Sequence, residues 1–138
     1  MIHTALALCW FTLGAMVFFG AVIAPSVFQR LDQESAGRFL RTVFPRLYLF
    51  CGLTTLFSAI GFGASTIIRP AVGLLIIAAL FFVSRGPLTR MINEARDDEL
   101  AGVEGAKAKF DRLHALSVRL FGSQALLILV CALYVIIR

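Results

Sequence analysis

Apolar and polar positions divide the chain into four long uncharged runs separated by charged segments. Residues 2–24 hold no charged side chain after His3, and at 1.5 Å per residue this run crosses a hydrocarbon core of about 30 Å. Residues 47–68 form a second such run, and residues 118–137, uncharged after Arg119, form the fourth. The third is shorter, because Ala71–Val83 supplies only 13 apolar residues between Arg69 and Arg85. Its span is set at 70–85, with Pro70 in the first helical turn and Arg85 snorkelling to the interface. Leu88, Met91 and Ile92 predict an amphipathic continuation, and Gly86-Pro87 predicts a kink or break where it starts.

The charged segments are patterned as well. Phe28, Leu31, Ser35, Phe39, Val43 and Leu47 recur at three or four, with Arg30, Glu34, Arg38 and Arg41 on the opposite arc. This predicts a short helix lying flat on the membrane surface, capped by Asp32 or Ser35 and ended by Pro45, which opens the second span. Arg30, Arg38 and Arg41 would then face anionic lipid. In the other segment, Asp97-Asp98-Glu99 followed by Ala101-Gly102 and Gly105-Ala106 predicts a helical hairpin whose second arm starts near Glu104 and continues through the fourth span. The expected fold class is all-α. It is a four-helix transmembrane bundle with a cytoplasmic interfacial helix between spans one and two and a helical hairpin extension between spans three and four, one integral membrane domain over residues 1–138.

Composition agrees with lipid as the solvent. The chain is 59% hydrophobic and 15% charged, with a mean hydropathy of +0.89, whereas soluble domains are about a quarter charged. A net charge of +5 does not point to nucleic acid, because nearly all the charges, and every acidic residue, lie in the two connecting segments. Those segments carry Arg30, Arg38, Arg41 and Arg46, and Arg85, Arg90, Arg96, Lys107, Lys109 and Arg112, against Arg69 and Arg138 on the other side. Positive residues stay in the cytoplasm, so both termini are expected on the non-cytoplasmic side, in the inner (plasma) membrane of a bacterium. Met1-Ile2-His3 lacks a basic n-region, so the first run is expected to remain as a helix.

Four places carry a family resemblance: Gly20 with Pro25 and Phe28, Ala36-Gly37 with Phe44-Pro45, Ile92-Asn93 with Arg96, and Phe110-x-x-Leu113-His114-x-x-Ser117. In this order, placed against four spans, they resemble the transmembrane protein 205-like family, a domain of unknown function. One departure is Leu88-Thr89-Arg90-Met91 between Pro87 and Ile92-Asn93, where the family pattern has a proline nearer the Ile-Asn pair. Eukaryotic members are associated with resistance to platinum drugs, which implies export or trafficking.

Helical spacing puts Phe110, Leu113, His114 and Ser117 on one face, and the expected cluster is His114, Ser117, Asn93, Arg96, Pro25 and Phe28. His114 has two readings: a ligand-binding or proton-relaying group, or a structural one hydrogen-bonded to a carbonyl or to Asn93. Cys9 and Cys131 fall at similar depth, and with Met16 they are the weak candidates for a soft metal, against ordinary packing of cysteine between helices. No cofactor is implied, since His3 and His114 lie at opposite ends of the bundle and cannot share a haem. The spans hold no acid or base, and no catalytic constellation is present, so no enzyme is expected. Gly20 and Ala24, Ala59 and Gly63, and Gly61 and Ser65 suggest close helix packing within or between subunits. The leading expectation is a homo-oligomer that assists permeation or export of a small solute or metal ion. The alternative is a non-catalytic scaffold binding a partner or anionic lipid through its cytoplasmic hairpins.

Overall fold

A computed structural model describes residues 1–138, and it is helical throughout. Helix α1 covers Ile2–Phe18 and, through a π-helical turn at Phe19–Ile23, runs into α2, Ala24–Arg30. Helix α3 covers Gln33–Ala64, α4 covers Ile68–Val83, and a second π-helical turn at Ser84–Leu88 joins α4 to α5, Thr89–Leu100. Helix α6 covers Ala106–Ile137. Four continuous rods result, Ile2–Arg30, Gln33–Ala64, Ile68–Leu100 and Ala106–Ile137, each long and apolar enough to cross a membrane.

Both π turns have a chemical cause. Pro25 and Pro87 lack a backbone donor, and a widened turn makes room for the ring without ending the helix. Neighbouring hydroxyls add bonds to carbonyls of the same turns: Ser26 donates to the Val22 carbonyl at 2.6 Å, and Thr89 to the Ser84 carbonyl at 2.6 Å. The expected break at Gly86-Pro87 is therefore a bulge within one rod.

The flat surface helix does not exist as a separate element. Asp32 caps the helix, accepting from the Glu34 and Ser35 amides at 3.1 and 3.0 Å, but the helix it starts runs unbroken through Pro45. A proline costs one hydrogen bond, and the turns on either side hold the rod together. At 32 residues, α3 is about 48 Å long, so its first turns stand out beyond the hydrocarbon core. The Ser35 and Glu34 amides also hold the Asp32 carboxyl below its usual range, with the Ser35 amide the main cause. The cap's stabilising contribution is thus present at neutral pH and is lost as pH falls through that lowered value.

The hairpin between the last two rods is present. Helix α5 ends in a turn with Gly102 at φ 76°, where the Val103 amide reaches the Asp98 carbonyl at 3.0 Å, and Gly105 at φ 77° precedes α6. Its second arm begins at Ala106, two residues after Glu104.

In the bundle, α1 and α4 each pack against both α3 and α6, whereas α3 and α6 face one another diagonally across the axis. Pairs of residues fix the levels. Phe19 meets Phe44 at 5.1 Å, Tyr48 meets Phe81 at 6.4 Å and Phe121 at 6.2 Å, and Thr12 donates to the Thr54 hydroxyl at 2.7 Å. The rods α3 and α6 consequently run in one direction and α1 and α4 in the other. The fully buried Cys51, Phe62, Leu74, Phe81 and Ile128 form the centre of the core. Outward faces carry large apolar side chains such as Phe57, Ile76 and Leu126, as helices surrounded by lipid require.

Candidate functional site

At the charged end side chains from all four rods line an open cavity of about 250 Å³. Phe28 of α2 stands at its mouth, Gly37, Arg41, Phe44 and Tyr48 of α3 form one wall, and Thr89, Ile92, Asn93 and Arg96 form the second. Phe110, His114 and Ser117 of α6 form the third. Helix α2 leans on α3 without extensive packing on α6, and Phe28 is exposed. The floor is aromatic: Phe44 stacks on Tyr48 at 5.7 Å, and Tyr48 in turn packs on Phe81 and Phe121.

Both guanidinium groups of the cavity are already charge-paired. Arg41 donates to Asp97 at 2.5 Å and reaches the Asn93 carbonyl at 3.4 Å, tying α3 to α5. Arg96 pairs with Glu99 at 2.5 Å, both half-buried, and lies over the Phe110 ring at 5.3 Å. The Arg41 hydrogen bond holds the Asp97 carboxyl below its usual range. This tie is therefore complete at neutral pH and loosens as pH falls through that lowered value. Three of the neutral side chains are unengaged by contrast, while Thr89 donates to the Ser84 carbonyl. The Gln33 and Asn93 amides and the His114 ring make no side-chain hydrogen bond, and the Tyr48 hydroxyl faces Ser117.

Of the six residues singled out in the sequence, His114, Ser117, Asn93, Arg96 and Phe28 line this cavity, and Pro25 lies one turn before Phe28 in α2. The hydrogen-bonded cluster expected for His114, Ser117 and Asn93 does not form. His114 is exposed at the cavity wall, its ring stacked on Phe110 at 5.7 Å and 11°, so its role there is that of an open wall and not of a buried pin. The three arginines expected to face lipid divide: Arg38 pairs with Glu34 on the exposed side, Arg30 stays free at the end of α2, and Arg41 turns inward to Asp97. Cys9, Cys51 and Cys131 are all free thiols, and no three His, Cys, Asp or Glu side chains converge.

Sequence reasoning missed Gly37, Phe44, Tyr48 and Thr89 as cavity residues. Tyr48 carried a signal, as the one phenol in its apolar run, but its partners Phe81 and Phe121 come from distant rods.

A family model for a domain of unknown function, DUF4149, matches residues 7–99. The chain belongs to the DUF4149 family. The DUF4149 match takes in the cavity walls from Phe28 to Arg96 and ends before the α6 wall of Phe110, His114 and Ser117. No curated protein and no solved structure matches the chain.

Proposed function

We propose that this DUF4149 chain is a non-catalytic integral membrane protein that receives a small, uncharged, amphipathic solute in the cavity at its cytoplasmic end, as the first step of permeation or export. One observation carries the reading: aromatic walls flank the Gln33 and Asn93 amides and the His114 ring, which make no hydrogen bond within the chain, while both cations are already neutralised by Asp97 and Glu99. Such a site favours an apolar body with a hydroxyl- or amide-like end over an anion. A metal ion fits poorly, because the donors do not converge. The resemblance to the transmembrane protein 205-like family supports export over catalysis. Homo-oligomerisation remains part of the reading, with Gly20 on the outer face and open space beside it.

The cavity can be filled from Gly37, where an added Cβ meets nothing within 4 Å. In proteoliposomes, a fatty alcohol carrying a diazirine is expected to label the cavity walls, and Gly37→Phe is expected to lower that labelling about tenfold, as loss of ~1.4 kcal/mol implies. Labelling of the outward-facing Phe57 should stay constant. Peptide mapping showing undiminished wall labelling in Gly37→Phe would refute the solute site.

A second reading has its own support. Arg30, Arg46, Arg85 and Arg90 gather at this end without an ion pair, as a surface holding anionic lipid requires. Both readings place this end in the cytoplasm in a bacterial inner membrane, following the positive residues. In intact cells a cysteine at Glu104 should be shielded from an impermeant thiol reagent while one at His3 reacts, and the opposite pattern would reverse the topology.

A further inference from the structure

Hydroxyls buried inside helices commonly donate to a carbonyl of the preceding turn, and several here do. Ser58 donates to the Thr54 carbonyl at 2.9 Å, Ser84 to the Leu80 carbonyl at 2.9 Å, and Thr12 is met by Thr54. Thr55 and Gln124 break the pattern. Each is 1% exposed, and neither the Thr55 hydroxyl nor the Gln124 amide nitrogen or oxygen has any partner. A carboxamide held among apolar side chains without partners is strongly unfavourable, so something outside the protein must supply them.

Their positions say where. On α6, Ser117 and Gln124 share a face two turns apart, about 10 Å, and on α3 Tyr48 and Thr55 do the same. Since α3 and α6 run in one direction on opposite sides of the axis, with the Tyr48 hydroxyl facing Ser117, the buried Thr55 and Gln124, each seven residues further on, fall at one level beyond the cavity floor. The rings of Tyr48, Phe81 and Phe121 lie between. We propose that Gln124 and Thr55 form an inner polar station, hydrated at rest, that accepts the neutral hydrogen-bonding end of the solute after it passes this aromatic ring. The ligand chemistry is a small uncharged donor and acceptor, either water or a hydroxyl or amide group. The solute's part rests on the function proposed above, whereas the water's part does not.

A thiol placed in the station reports water directly, because alkylation runs through the thiolate, which forms where water reaches the sulfur. The full chain in proteoliposomes, with Cys9→Ala, Cys51→Ala and Cys131→Ala, receives either Thr55→Cys or Ile128→Cys. Ile128 is 0% exposed and one turn beyond Gln124 on α6. Iodoacetamide, itself a small neutral amide, is expected to modify Thr55→Cys at least about tenfold faster than Ile128→Cys, in line with a thiol that ionises in one place and not in the other. Adding Gln124→Leu to Thr55→Cys should remove that advantage. Equal rates for the two thiols, or a rate that Gln124→Leu leaves unchanged, would overturn the station. If Thr55→Cys does not unfold cooperatively, Gln124→Cys against Ile128→Cys makes the same comparison. Diazirine labelling of the cavity separates the two ideas: a labelled cavity with a slow Thr55→Cys removes the station alone, and a fast Thr55→Cys with an unlabelled cavity keeps the hydrated station and removes the solute.

Discussion

Gly61→Leu is expected to destabilise the bundle by about 1–3 kcal/mol, the range of an overpacked core. A Cβ at Gly61 would stand 2.8 Å from the Ala5 Cβ and 3.7 Å from the Met1 carbonyl oxygen. Neither neighbour is a flexible side-chain end, so α1 and α3 would have to separate. This contact lies near the terminal end, where Ala5 is 1% exposed, and the small residues on both rods are what let them approach so closely there. Gly14 provides the comparison: it has nothing within 4 Å of an added Cβ, and Gly14→Leu should change stability by no more than about 0.5 kcal/mol. Thermal unfolding of both variants in one detergent tests the pair. Equal midpoints would mean that the α1–α3 approach contributes nothing to the fold.

The second large effect is expected at Phe81. Its ring is fully buried and packs on Tyr48 at 6.4 Å, and its Cβ lies only 3.3 Å from the point where a Cβ on Gly52 would stand. Phe81→Ala in a water-soluble core costs about 3–5 kcal/mol through lost transfer energy and the cavity left behind. In a membrane the separated helix keeps this ring in lipid, so the transfer part shrinks and lost packing dominates. A loss of roughly 2–3 kcal/mol is therefore expected, read from unfolding in mixed micelles. Phe81→Leu, which fills most of the volume, should recover more than half of it. A Phe81→Ala protein as stable as the parent would show that the aromatic floor is loosely packed.

The same site explains why some of its residues were legible and others were not. Phe110, His114 and Ser117 recur at three and four along one helix, so a single periodicity puts them on one face. Asn93 and Arg96 lie one helical turn apart and carry the same kind of information. Gly37, Tyr48 and Thr89 give no such signal, because what makes them cavity residues is which faces of α3 and of the α4–α5 rod meet. The absence of a His114 hydrogen bond is equally a matter of placement: Phe110, one turn earlier, offers the ring an aromatic face.

Composition and spacing by themselves determined that this chain is helical, that four rods are long and apolar enough to cross a membrane, that a helix starts at Asp32 or Ser35, and that a glycine-bearing turn precedes the last rod. These are local or additive properties, set by hydropathy summed along a run and by side chains acting on their own backbone. Tertiary structure decided the rest. A stripe at three and four looks the same for a helix lying on a surface and for one continuing a span, and the packing of Phe44 and Tyr48 on Phe19 and Phe81 made residues 33–46 the first turns of α3. Gln124 is one more uncharged position in an apolar run, and only the packing of the rods buries its carboxamide without a partner. Contacts between distant residues depend on which faces meet, and periodicity along one helix holds no information about the helix across from it.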